Sequence, residues 1–306
     1  MSETTDLYRQ QRFLLMTLDP VHVGAGGYRL GRVDLSIVRE PGTRLPKIPG
    51  TSLSGAIRQF AAMRYESRRC AGAGMGEGER SHCRDRECPV CYTFGYLRGS
   101  EGGQSGTVSI GDARLLFFPV YSLAGPIWVT APGVLREFGI GAAVGEEAAR
   151  AAPELGGHMH LNLGWLMLPV EQGNFALPEG VPAEIAQRAV LVSDKVFSQV
   201  VNSNLEVRTS VSIDPNTGAA KEGALFTYEA LPRAALLWLD VIEDDFRPDK
   251  FTPTSKTAKG NTLGETWSKP LDVVCAGLKL AEHLGIGGMG TRGFGRVRLL
   301  NGEVRS

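Results

Sequence analysis

Apolar positions follow two rhythms along the chain. Gln11 to Leu18 (QRFLLMTL) is a short, β-prone apolar run that stops at Asp19 and Pro20, which predicts a core strand. The segment TSLSGAIRQFAAMRYES opens on a Thr/Ser cap and repeats apolar residues at Leu53, Ala56, Ile57, Phe60 and Met63. That is helical spacing, with one buried stripe and with Arg58 and Arg64 left on the surface. Val108 to Val120 and Leu236 to Ile242 return to strand-length apolar runs. A capped amphipathic helix is expected from Ser193 to Asn202. A second helix is expected in KPLDVVCAGLKLAEHLG, with Pro270 at an early helical position and Gly285 just past its end. A short strand, FGRVRLL, follows it. Between Asn204 and Arg233 the residues alternate in character around the turn Asp214-Pro215-Asn216-Thr217-Gly218, predicting a long projecting hairpin. The mixed order, without regular strand and helix alternation, favours an α+β sheet-and-helix layer over a doubly wound fold.

At 306 residues, with 42% hydrophobic and 22% charged content, the chain is long enough to bury a large core. No apolar run approaches a bilayer span, and the polar start MSETTDLYRQ has no signal-peptide pattern, so no membrane contact and a cytoplasmic location are expected. Formal net charge is zero. Any nucleic-acid surface must therefore come from local clustering. Between Arg44 and Arg69 the bases Arg44, Lys47, Arg58, Arg64, Arg68 and Arg69 face only Glu66, and Arg292, Arg296 and Arg298 lie together near the end. Charge runs of this kind are commonly just solvated faces.

The string GIGGMGTRGFG satisfies G-x-G-x-x-G but follows a helix and enters a strand. That is the reverse of a dinucleotide-binding loop and lacks the helix N-terminus that would hold a pyrophosphate. Its six glycines, Gly287, Gly288 and Gly290 among them, leave backbone amides unshielded beside Arg292, a surface suited to a phosphate backbone. A plain turn needs only one or two.

Five cysteines, four of them between Cys70 and Cys91, argue for metal binding rather than disulfides. In SHCRDRECPVCYTFG the pair Cys88 and Cys91 forms C-x-x-C with Cys83 upstream, and either His82 or Cys70 completes a tetrahedral zinc site. The surrounding stretch, 70–106, is too rich in Gly, Arg and Glu to build much core, so a metal is expected to hold it. Asp34 and His22, taken alone, are ordinary surface or structural residues. No P-loop, HExxH or GxSxG signature occurs.

Taken together, LDPVHVGAGG with GRVDLSIVRE, IPGTSLSGAIRQF, CPVCYTFG, DARLLFFPVYSLAGPIWVTAPGVLR, EGALFTYEALP and GIGGMGTRGFGRV resemble the RAMP superfamily. Within it they are most similar to the backbone (fourth Cmr) subunit family of type III-B CRISPR complexes. The cysteine-rich insertion also resembles the type III-A backbone subunits. The resemblance implies a single domain over 1–306: a modified RRM, or ferredoxin-like, palm with an inserted segment at 70–106 and a thumb hairpin at 204–233. It implies copies stacked head to tail on guide CRISPR RNA beside other Cmr subunits, and cleavage of paired target RNA at regular intervals for antiviral defence. By that resemblance Asp34 is catalytic, with His22 nearby and Glu222 from the thumb, using a divalent metal such as Mg. Arg44, Lys47, Ser52 and Arg58 are expected to contact RNA. A guide-binding scaffold that does not cut, or a nuclease trimming precursor guide RNA, are the alternative expectations.

Overall fold

The computed structural model describes residues 8–26, 33–72, 82, 83, 85, 87–97, 102–171, 173–244, 247, 250–258 and 261–301. Parts of the 70–106 segment, the Gly27 end of the first glycine turn and the side chain of Glu222 lie outside the described residues.

Four strands and two helices form the palm. The opening strand Arg9–Thr17 pairs antiparallel with Leu236–Glu243 on one side and with Val297–Leu299 on the other. Leu236–Glu243 in turn pairs antiparallel with Ala113–Val120. Along the chain these elements run strand, helix Gly50–Arg64, strand, strand, helix Pro270–Leu284, strand, and in space the strands stand in the order fourth, first, third, second. That is the ferredoxin-like, modified RRM arrangement expected. Phe13, Leu15, Phe117, Leu237 and Leu239 are fully buried within this sheet.

Beyond Ala113–Val120 the sheet continues through Ile127–Thr130, Ala189–Val192, Ala149–Ala151, Leu166–Glu171 and His160–Leu163; with Lys47–Ile48 paired to Ala113–Val120 and Val108–Ile110 paired to Leu236–Glu243, it has eleven strands among the described residues. The hydrophobic rhythm had not marked this extension. Its strands are three to six residues long, too short to show an alternation of their own.

Local departures have identifiable causes. Val108 to Val120 is broken into Val108–Ile110 and Ala113–Val120. At the break, Asp112 accepts hydrogen bonds from Gly50 N (2.7 Å) and Lys47 Nζ (2.6 Å). The first helix therefore has no side-chain cap of its own: Pro49 stands at the N-cap, and the carboxylate that satisfies its first free N–H lies 62 residues away. The later helix, Asp194–Ser203, is capped by Ser193 as expected.

The first helix is buried on two faces. Leu53, Ile57 and Phe60 enter the main core, while Ala61 and Ala62 pack with Cys70, Cys88, Val90, Cys91 and Trp267 in a second cluster. Met63, expected in the stripe, is exposed. The cysteine segment contributes only a small core, supplied where Pro89–Phe94 forms a helix that docks on the palm. Among the described residues no helix is long and apolar enough to cross a membrane.

The two palm helices touch at Gly277, where an added Cβ would stand 2.4 Å from the Ile57 carbonyl oxygen. Gly277→Ala is expected to force the helices apart and lower unfolding free energy by about 1–3 kcal/mol, read as a fall in the denaturation midpoint without a change in slope.

Candidate functional site

The hairpin Glu206–Ile213 and Ala220–Ala230 stands on the palm through its root. Leu35 N donates to the Thr227 carbonyl and Glu229 N to the Leu35 carbonyl, each at 3.0 Å, so residues 33–38 run beside the second hairpin strand. Val21 and Leu231 exchange a further pair of backbone bonds. Along that strand the side chains alternate: Thr227 and Glu229 face one way, Phe226 and Tyr228 the other.

Asp34 lands opposite Thr227. Its Oδ2 accepts from the Thr227 backbone N–H (2.7 Å) and hydroxyl (2.9 Å), and the same hydroxyl accepts from the Asp34 backbone N–H (3.1 Å). The Thr227 backbone N–H, and then its hydroxyl, hold the Asp34 carboxyl below its ordinary value, so it is ionised at neutral pH. Asp34 is exposed, and its second oxygen makes no hydrogen bond among the described residues.

His22 is clamped rather than free. Only 6% of it is exposed, and its Nδ1 lies 2.6 Å from the Glu229 carbonyl oxygen. A carbonyl can only accept, which places the proton on Nδ1. The ring meets Tyr228 edge-on, and the His22 carbonyl accepts from Gly288 N at 2.9 Å. Gly287 lies against that carbonyl with φ 90°, and a Cβ there would come within 2.5 Å of its oxygen. Only glycine permits this approach. Gly290 begins a single turn that ends at Arg292, whose guanidinium lies 5.6 Å from the Phe226 ring centroid. Phe294, from the end of the same loop, packs on Tyr228. Asp34, His22 and the glycine loop therefore meet on hairpin residues 226–229.

The other expected contacts are scattered. Arg44 is exposed in a turn with φ 62°. Lys47 is half-buried and paired with Asp112 (2.6 Å) and Glu40 (3.2 Å), and the Asp112 bond holds it protonated. Ser52 is half-buried in the first turn of its helix. Arg58 is buried, contrary to the surface position expected. Glu222 lies five residues from Thr227 along the same strand, about 17 Å of strand length.

Sequence reasoning did not find Thr227, nor the buried pair Arg39 and Glu229 (2.7 Å) that braces the root, with partners 190 residues apart. The alternation in FTYEA was the signal available. Nor did it find Arg208 and Arg233, which join Arg296 and Arg298 in a cleft beside Gly293. Asp19 pairs with Arg296, Glu206 with Arg208 and Glu282 with Arg298, which leaves Arg233 exposed and without an ion-pair partner among the described residues.

Cys70, Cys83, Cys88 and Cys91 converge with all four sulfurs within 4.8 Å of one another. Cys70 and Cys88 are 3.5 Å apart, and Cys83 and Cys91 3.8 Å. Tetrahedral coordination at about 2.3 Å places sulfurs about 3.8 Å apart, so the four thiols can hold a metal ion. Hydrogen bonding with Cys83 lowers the Cys70 thiol, while bonding with Cys70 raises Cys88 and Cys91. A cation is what lets all four ionise together. His82, the alternative fourth ligand, has its Nδ1 3.9 Å from the Cys91 sulfur and its ring stacked on Tyr96. It borders the cluster rather than completing it.

The profile of the RAMP superfamily matches residues 14–298. The chain belongs to the RAMP superfamily. This RAMP chain is 27% identical to the CRISPR system Cmr endoribonuclease Cmr4 of Pyrococcus furiosus, over 95% of both chains. It is 33% identical to the Csm3 endoribonuclease of Enterococcus italicus over 31% of this chain and 41% of that one. Among solved structures, a chain of the type III-B Cmr-beta complex bound to cognate target RNA superposes with TM-score 0.65 at 17% identity, covering 96% of this chain and 98% of that one. Oligomeric Cmr4 from Pyrococcus furiosus gives 0.57 at 21%, covering 97% and 100%.

Elemental analysis is expected to show bound metal lost on Cys70→Ser and kept on His82→Gln.

Proposed function

We propose that this chain is the guide-RNA-binding backbone subunit of a type III-B CRISPR complex, and that it cuts the paired target RNA once per copy. The observation that carries this reading is the Asp34 carboxylate, ionised, fastened by one oxygen to the hairpin root and open at the other. A hairpin wedged into a guide–target duplex unstacks a nucleotide at a cost of a few kcal/mol, which contacts to the phosphate backbone must offset. The glycine loop, Arg292 and the arginine cleft supply such contacts, and Arg44 adds an exposed charge.

With a nucleotide displaced at the root, the ribose 2′-hydroxyl can line up with its own phosphodiester. The free oxygen of Asp34 then accepts the hydroxyl proton as the 2′-oxygen bonds to phosphorus; the P–O5′ bond breaks, leaving a 2′,3′-cyclic phosphate, the departing 5′-oxygen takes a proton from water, and positioning supplies much of the acceleration. A single carboxylate also suits a magnesium ion that keeps most of its waters, and such an ion would offset charge building on the phosphate. His22 holds the glycine loop to the hairpin. Other copies of this chain, stacked head to tail, further Cmr subunits, guide RNA and target RNA are the partners, in cytoplasmic antiviral defence. The domain unit is the whole of 1–306, with 70–106 inserted and 204–233 as thumb. The four cysteines hold a structural zinc, about one per chain.

The shorter match to a type III-A subunit and the four-cysteine site favour a second reading, the equivalent type III-A backbone position. The chemistry is the same in both.

In a reconstituted complex, Asp34→Ala is expected to lower single-turnover target cleavage at least ~100-fold with guide and target binding intact. Unchanged cleavage would leave a scaffold that does not cut. Thr227→Val, which removes the hydroxyl bond to Asp34 but keeps the backbone one, is expected to slow cleavage about tenfold. Thr227→Ser should restore it.

A further inference from the structure

Arg58 is 8% exposed, so it cannot meet an RNA phosphate. Among the described residues every hydrogen-bond acceptor it has is a neutral backbone carbonyl: Cys70 O from Nε at 2.8 Å, and Gly95 O and Phe94 O from Nη1 at 2.7 and 3.4 Å. Its Nη2 is buried and makes no hydrogen bond among the described residues, and no carboxylate there pairs with it. A guanidinium stays charged in proteins, and a buried charge without a counter-charge is strongly disfavoured.

The missing negative charge is next door. Arg58 grips the carbonyl of Cys70, itself one of the four converging thiols, and its Nη1 holds Gly95 O just past the helix Pro89–Phe94 that carries Cys91. Four thiolates around one divalent cation keep a twofold negative excess, which a low-dielectric pocket cannot leave unbalanced. We propose that Arg58 is the counter-ion of the four-cysteine metal centre and, by offsetting one of those two charges, sets how tightly the metal is held. The role rests on the cysteines holding zinc, and it makes Arg58 a positioning residue that touches the ligands' surroundings and not the metal.

The same side chain mechanically couples three pieces. Nε holds the turn Arg68–Cys70, Nη1 holds the end of the helix Pro89–Phe94, and the stem leaves the palm helix between Ile57 and Phe60. Both the charge and the fork can matter, and two substitutions separate them. Arg58→Lys keeps the charge and loses the fork, and Arg58→Gln keeps amide donors and loses the charge.

The test is competition for zinc between the purified full chain and a chelator of known affinity, with thermal melts at saturating zinc to check folding. The unsubstituted chain should bind about one zinc, Arg58→Gln should hold it roughly ten- to hundredfold less tightly, and Arg58→Lys should stay within about threefold. Equal affinity in Arg58→Gln and the unsubstituted chain overturns the proposal. So does an equal loss in both variants, which would assign the effect to the hydrogen bonds. If Arg58→Gln does not fold even with saturating zinc, Arg58→Lys decides alone: near-native affinity supports the counter-ion role, and a tenfold loss ends it. An unsubstituted chain that takes up no zinc fails earlier, at the zinc reading itself.

Discussion

A two-stranded ribbon has too little buried surface to stand in water by itself. The hairpin of this protein stands because residues 226–231 are gripped from two sides. Leu35 bonds Thr227 and Glu229 along one edge, and Val21 bonds Leu231 beyond them. Below, Arg39 neutralises Glu229 in a site shielded from solvent. Above, Tyr228 and Ala230 pack with Phe294 from the glycine loop. Everything proposed for the site follows from this grip, since the segments that carry Asp34, His22 and the six glycines are the ones that make it.

Much of the palm was legible. Its strands Arg9–Thr17 and Leu236–Glu243 match the apolar runs closely, its second helix is bounded by Pro270 and Gly285, and the hairpin turn announces itself at Asp214 to Gly218. What stayed hidden was set by distant partners. The first helix looked capped by its own Thr and Ser, but Asp112 satisfies its first free N–H from the far side of a strand break. The outer half of the sheet was missed because strands of three to six residues carry no readable period. Asp34 was legible only through family resemblance. Nothing local distinguishes it from any exposed aspartate, and its partner Thr227 is 193 residues away.

Charge counting misled in an instructive way. Of the basic residues grouped between positions 44 and 69, Lys47 is neutralised by two carboxylates and Arg58 is withdrawn into the interior. The helical wheel put Arg58 beside the apolar stripe, and so at the surface. A second layer, the cysteine segment, covers that flank of the helix, and the spacing of cysteines contains no information about which helix face they will cover. The fourth member of the cysteine cluster, left open between His82 and Cys70 by the sequence, comes from geometry. Cys70 arrives from a turn that follows the palm helix, and its sulfur closes the set.

Asp34 and the hairpin share a reciprocal ring of hydrogen bonds, with the threonine hydroxyl giving one and taking another. Those bonds tie the segment that begins at Val33 to the arm at Thr227, so a load that tilts the arm is passed to the Asp34 carboxylate. On the role proposed for Asp34, cutting needs no separate trigger, because the force that registers a correctly seated strand is the one passed to the carboxylate.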